Sequence, residues 1–275
     1  MNFQERLVQR IPLGTVQRSV EALTAFGKAY EVEAKEWSVC NSFVRRVLET
    51  KELTTGRLPV FKVPEGAKEA LYLVSPSKSG SATIRDTMFM PPEIVWESKP
   101  YIEKMVIDTS VSDLIEETVN EVNEGMTVCA ERQMVSMMKS VPPIEVSNFG
   151  EFDRLELTMS SVTGPIASVM LGSAVFSRLK EDERFLKNFR TTIDKRFYGK
   201  EIEVLTDATR HPTLKCLGAQ DIIVTSTPSR VGGLTERRWD SYPLNGVSTS
   251  RPGFGVWVFT SVSMILFTGG WAWSK

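Results

Sequence analysis

Residues 111–139, VSDLIEETVNEVNEGMTVCAERQMVSMMK, decide how this chain is read. Ile115, Val119, Val122, Met126, Cys129 and Met137 recur at helical steps and form one apolar stripe, interrupted at Gln133. Asp113, Glu116 and Glu117 load the first turns, and Arg132 and Lys139 the last, which suits the helix macrodipole. Ser110 stands three residues before Asp113, close to a capping-box spacing. Val141-Pro142-Pro143 stops the helix, because proline lacks the amide that would continue it. At 1.5 Å per residue such a helix is roughly 40 Å long. That exceeds what a small compact core needs, so the helix is expected to act as a spine.

On the N-terminal side the pattern changes. Residues 58–64, LPVFKVP, are extended, since two prolines forbid helix. Residues 70–74, ALYLV, read as a strand, and 76–81, PSKSGS, as a polar turn or loop tip. Residues 83–90 and 93–96 return as further extended segments, and 101–108, YIEKMVID, as another strand. The tip does not cradle phosphate, because G-x-x-x-x-G-K-[ST] is absent and no helix follows directly. Further upstream, Val16, Val20, Leu23, Phe26, Tyr30, Ala34, Trp37, Cys40, Val44 and Leu48 recur in threes and fours. They predict one or two helices, with a break at Gly27 and an end at Thr54-Thr55-Gly56. This segment is either an ordinary amphipathic core helix or an arm that packs on a neighbouring subunit.

On the C-terminal side a compact α/β segment follows. A helix is expected near 162–167, a buried strand over 168–172, and helices over 174–179 and 184–189. Residues 201–205 and 221–225 read as short strands. The stretch 226–253 is rich in Gly, Pro, Ser and Arg and is expected to be a long loop or β-excursion. Residues 178–200 mix basic and acidic side chains, either a solvated face or an inter-subunit charge surface. Residues 254–273 carry no charge and reach the length of a membrane span. Their Val, Thr, Phe and Trp content and the Gly269-Gly270 turn signal favour a buried strand over 256–267 with a short return at 271–273.

Composition narrows the function. The chain has 275 residues and a net charge of −1, so no global basic field argues for direct nucleic-acid binding. A near-neutral chain is also free to associate with its own copies. Cys40, Cys129 and Cys216 lack metal-ligand spacing and read as reduced thiols. The N-terminus shows no signal-peptide pattern. His211 is the single histidine, with Asp194 and Asp207 upstream and Cys216 five residues on. No G-x-S-x-G, H-E-x-x-H or C-x-x-C pattern accompanies them. No catalytic, cofactor or metal residues are assigned, and the chain points to a protein whose product is a shape.

The order of parts resembles the major capsid proteins of tailed phages, whose fold is shared with encapsulin shells. Residues 96–108, WESKPYIEKMVID, with 109–114 are similar to that family's strand entering its spine helix. Residues 168–179, SVMLGSAVFSRL, resemble its strand-then-helix segment, and 197–204, FYGKEIEV, its aromatic-Gly-extended strand. The likeness covers roughly residues 50–267 and rests on order and spacing. It implies an α+β fold with an N-terminal arm (1–56) and an extended β-hairpin loop (57–96). A peripheral domain with the spine helix (97–150, plus a C-terminal strand in 254–275) and an axial domain (151–253) complete it. It further implies hexamers and pentamers tiling an icosahedral head around double-stranded DNA held without sequence readout. Portal, scaffolding or decoration proteins are the other expected partners, and the location is the virion, assembled in host cytoplasm. The loop near 75–84 would lie over a neighbouring subunit. The chain departs from the family in having no long N-terminal scaffolding extension and in the Arg/Gly-rich 226–253 stretch, and no Lys–Asn cross-link is assigned. An encapsulin-like compartment, a tail-anchored membrane protein and an enzyme stay as alternatives.

Overall fold

The computed structural model describes residues 44–53, 59–75, 78–85, 87–99, 101–103, 114–146, 149–190, 196–197, 200–206, 217–237, 240–243 and 253–275. α1 (Val44–Val47) leads into β1 (Glu49–Leu53). β2 (Phe61–Lys62), β3 (Glu69–Ser75), β4 (Lys78–Thr83), β5 (Met88–Phe89), β6 (Ile94–Ser98) and β7 (Tyr101–Glu103) follow. Then come the long helix α2 (Leu114–Lys139), α3 (Glu151–Ser160), β8 (Ile166–Leu171), α4 (Ser173–Leu179) and α5 (Glu183–Asn188). The chain continues through β9 (Phe189–Arg190), β10 (Arg196–Phe197), β11 (Lys200–Glu201), β12 (Glu203–Thr206) and β13 (Ile222–Ser226). It ends with α6 (Pro228–Val231), β14 (Gly232–Arg237), β15 (Asp240–Pro243), β16 (Gly253–Phe267) and β17 (Trp271–Ser274).

The chain divides into two compact units. One gathers residues 1–41, 95–127 and 237–262. In it β7 and β15 both pair antiparallel with β16, Ile102 opposite Phe254 and Tyr242 opposite Trp257. The other gathers residues 42–94, 128–236 and 263–275 and holds most of the described core. There β3 pairs with the end of β16, Ala70 opposite Phe267, and with β4 in an antiparallel hairpin from Glu69↔Thr83 to Ser75↔Lys78.

A four-stranded sheet, β12-β8-β13-β17, forms the second core of that unit. β13 is buried at every position, as a central strand covered on both faces must be. Phe152 and Leu155 of α3, Val175 and Leu179 of α4, and Phe185 of α5 pack with Val169, Leu171, Ile222 and Val224. The C-terminal half of α2 buries Ala130, Met134, Val135, Met137 and Met138. Only Met137 of these lies on the expected stripe. The buried arc is wider than one seam, and flexible methionines fill it.

Four expectations are corrected. The helical pattern through Leu48 does not run to residue 54; the helix ends at Val47, and β1 takes 49–53 because β14 pairs with it. The arm upstream of Val44 lies outside the described residues. The helix expected near 162–167 is instead α3, with acidic Glu151 and Asp153 in its first turn. Residues 161–165 turn through Gly164 at φ +101°, a conformation that glycine adopts without a Cβ penalty, and Pro165 follows. β4 begins at Lys78, inside the expected loop tip. Finally, the 271–273 return does not pair with β16 but with β13, Trp273 opposite Ile223. The end of β16 has β14 on one side and β3 on the other, so no edge is free for it. The last strand therefore joins the sheet built from the 151–253 segment rather than the one reached from 97–150. Within 226–253 the described residues form α6, β14 and β15, a β-excursion rather than a loop. Residues 254–273 are strands joined by a turn, and among the described residues no helix is long and apolar enough to cross a membrane.

Candidate functional site

The β3–β4 hairpin is the first candidate surface, and its base is held by specific contacts. Thr268 receives the Glu69 amide on its hydroxyl at 3.0 Å and donates its own amide to the Glu69 carbonyl at 3.0 Å. Phe61 of β2, opposite Phe89 of β5, is fully buried with Ala70, Ile265 and Phe267. Lys51 of β1 donates to the Val60 carbonyl at 2.7 Å and lies 4.6 Å from the Phe61 ring centroid. Along the hairpin, Gly80 faces Tyr72, and a Cβ there would stand 2.7 Å from the Tyr72 ring. A ring laid over a strand glycine restores packing that the missing side chain forfeits. Above this base Val74 (52% exposed), Met88 (63%) and Met90 (51%) leave apolar side chains in solvent. Exposed apolar groups in one segment mark contact surfaces, and methionine adapts to varied partners.

A second feature ties the end of α2 to the last strand. Lys139 Nζ lies 2.6 Å from Asp221 Oδ2, and the Asp221 side chain is 1% exposed. Asp221 Oδ2 also accepts the Gly218 amide at 2.7 Å. Lys139 stands 5.5 Å from the Trp273 ring centroid, and Trp273 Nε1 donates to the Val141 carbonyl at 2.7 Å. The Ile144 amide donates to the Trp273 carbonyl at 2.9 Å, and Thr158 of α3 donates to Ser274 at 2.9 Å. β17 thus clasps α2, α3 and β13 together.

Around the 217–221 turn a charge network forms. Glu151 pairs with Arg154 at 3.2 Å and Arg178 at 2.9 Å, and both arginines donate to Gln220. Burial pushes the Arg154 guanidinium below its ordinary value, with Glu151 pulling the other way. Arg184 bridges Asp153 at 2.7 Å and Asp182 at 3.0 Å. The side-chain hydrogen bond from Arg184 holds the Asp182 carboxyl below its ordinary range, and Asp182 in turn raises Arg184. Asp182 Oδ1 also accepts the Arg184 amide at 2.8 Å, the capping geometry that starts α5.

The residues weighed for enzyme chemistry are not brought together by anything described. His211, Cys216, Asp207, Asp194 and Cys40 lie outside the described residues, as do Ser110 and Asp113 of the proposed cap. Cys129 sits half-buried on α2. The surface methionines Met88 and Met90 went unread. Their signal was present: they flank Phe89 in strand alternation, just before Pro91-Pro92.

No protein-family model matches the chain, and no curated protein matches it. Solved structures do. The chain is similar to the capsid of a native GTA particle, at 11% identity and a TM-score of 0.54, over 86% of this chain and 91% of that one. It is similar to a phage-related protein from Bordetella bronchiseptica, at 8% identity and a TM-score of 0.53, over 90% and 96%. A virus-like particle from Pyrococcus furiosus aligns at 11% identity and a TM-score of 0.50, over 93% and 100%. At such identities the likeness establishes a shared fold along nearly the whole chain.

Proposed function

We propose that this chain, which carries the tailed-phage capsid fold, is a major capsid protein that builds an icosahedral head around double-stranded DNA. The observation that carries the reading is the extent of the likeness: it takes in 86% of this chain and 91% of a capsid subunit, leaving no room for an inserted catalytic domain. In this reading copies assemble through hexamers and pentamers. The β3–β4 hairpin reaches over a neighbour, α2 is the spine, and residues 151–253 form the axial domain. Within the expected arm, 1–56, the part upstream of Val44 serves as the arm, because α1 and β1 pack within their own copy. Each contact is modest, and a closed lattice adds them by multivalency. A net charge of −1 suits a shell that encloses a genome without gripping it. Portal and scaffolding or decoration proteins complete the head, which forms in the host cytoplasm.

The test is the size of the purified protein, by light scattering and negative-stain imaging. Hollow particles, or rings of five and six copies, are expected. A monomer or dimer that persists at high concentration and with crowding agents sinks the reading. Particle contents then separate a genome-filled head from a compartment loaded with protein.

A further inference from the structure

The described methionines differ in their access to solvent. Met134, Met138, Met170 and Met264 are 0% exposed and Met137 1%, whereas Met88 is 63% exposed and Met90 51%. Strand alternation sets Met88 and Met90 outward, while Phe89 between them turns inward to pack with Phe61, Ala70, Ile265 and Phe267. That inward side anchors the segment. Phe89 stands opposite Phe61 in the ladder, and its ring centroid lies 6.0 Å from that of Tyr72. The Thr87 carbonyl accepts the Val63 amide at 2.8 Å, and Pro91 is buried.

Packing within the copy does not call for methionine at these two positions. An exposed strand face favours valine, isoleucine or threonine for the strand and charge for solubility, and an unbranched thioether supplies neither. What the thioether adds is chemistry. Oxidation to the sulfoxide turns a flexible apolar side chain into a polar one, and dedicated reductases reverse the change. The buried methionines are shielded from a dissolved oxidant by the core around them.

We propose that Met88 and Met90 are a modification site for a peroxide, and that their oxidation releases a contact between copies. A sulfur lone pair attacks one oxygen of hydrogen peroxide, so an S–O bond forms as the O–O bond breaks. The second oxygen leaves as hydroxide and takes the proton of the first, which makes water. Sulfur is oxidised by two electrons and the peroxide is reduced by the same two. Two polar sulfoxides then stand on a face that a second copy covers, a consequence that rests on the shell reading. Covering a sulfoxide oxygen without a donor is unfavourable. Because the anchors of the segment lie on its other face, oxidation changes the surface and spares the fold. Unassembled subunits are open to the oxidant, and assembly protects the two thioethers.

The test treats unassembled full-length wild type, and a variant with Met88→Leu and Met90→Leu, with hydrogen peroxide. Peptide mass spectrometry is expected to find oxygen added at Met88 and Met90 at least about tenfold faster than at Met134, Met137 and Met138. Thermal melts should be unchanged. In sedimentation velocity the oxidised wild type should self-associate at least about tenfold more weakly. Methionine sulfoxide reductases with a thiol reductant should restore it. The leucine variant is compared with itself, and its association constant should not respond to peroxide. The proposal is overturned if the buried methionines take up oxygen as fast, or if oxidised Met88 and Met90 leave association unchanged. A leucine variant that loses as much as the wild type, or a melting temperature that falls on oxidation, also overturns it. An untreated wild type that never associates would remove the shell reading and the consequence drawn from it, while the order of oxygen uptake would still decide the site.

Discussion

Phe61→Ala and Gly233→Ala, made singly and together, test how the hairpin base is packed. Phe61 is 1% exposed, and a Cβ built on Gly233 would stand 2.1 Å from its Cε1, 2.3 Å from Cδ1 and 2.4 Å from Cζ. Carbon contacts are comfortable at about 3.5–4.0 Å, so the overlap is roughly 1.5 Å with a ring that has nowhere to go. Phe61→Ala should cost about 3–5 kcal/mol through lost transfer energy and the cavity left behind. Gly233→Ala alone should cost about 1–3 kcal/mol from overpacking, less about 0.5–1 kcal/mol recovered because alanine loses less entropy in a strand. In the Phe61→Ala background the overlap is gone and the new methyl enters the vacated space. There Gly233→Ala should be neutral or stabilising by up to about 1 kcal/mol, a coupling of about 1–3 kcal/mol between the sites. Lys51→Met measures the ammonium's whole share, its place over the ring together with its bond to the Val60 carbonyl, about 1–2 kcal/mol. The assay is urea unfolding of unassembled subunits at fixed protomer concentration, since assembly stabilises by mass action. Additivity within about 0.5 kcal/mol would refute the claim that the Phe61 ring is what demands glycine at 233.

Lys139→Met should destabilise by about 2–3 kcal/mol, because it strips the ammonium from the buried Asp221 carboxylate and leaves it to the Gly218 amide. Thermal melts check it, and Lys139→Met should cost more than the double variant with Asp221→Asn, which removes the stranded charge. The depressed Asp182 carboxyl contributes stability that is present above its unfolded pKa and is lost as pH falls through the lower folded value. Amide protection in α5, taken relative to the intrinsic exchange rate at each pH, should therefore hold above the ordinary carboxylate range and fall as pH drops from there through the lowered value. Asp182→Asn should abolish that acid dependence, and an unchanged exchange profile in the variant would show that another group controls it.

The elements legible in the sequence are those whose signal is local. The run 70–74 marked β3, though the tip was expected where β4 begins, and a charge gradient with Pro142-Pro143 bounded α2 at Lys139. The buried run Ile222–Ser226 read as a strand because a central strand is apolar on both faces. What was not legible depends on which edge is already occupied. Residues 49–53, ETKEL, continue a helical pattern, and only pairing with β14 makes them a strand. Gly233 looked like one more glycine in an Arg/Gly-rich stretch until Phe61, distant in sequence, was found against it.

The return strand shows the same limit at the level of topology. Gly269-Gly270 announces a reversal, and at Gly269 the backbone does take φ +93°. A two-residue reversal ordinarily makes neighbours of the strands it joins. Here both sides of β16 are filled at Phe267, by β3 and β14, so the reversed chain has no ladder to join. It passes to β13, where Trp273 and Ala272 meet Ile223 and Val224 and complete a sheet that would otherwise end in an apolar edge. The turn was written locally, while its partner was set by the strands that had already claimed the sheet. The same reasoning applies to the candidate surface. An apolar side chain left exposed among the described residues is informative once the strands around it have been assigned. That is why Met88 and Met90 gain meaning from the fold and had little in the sequence.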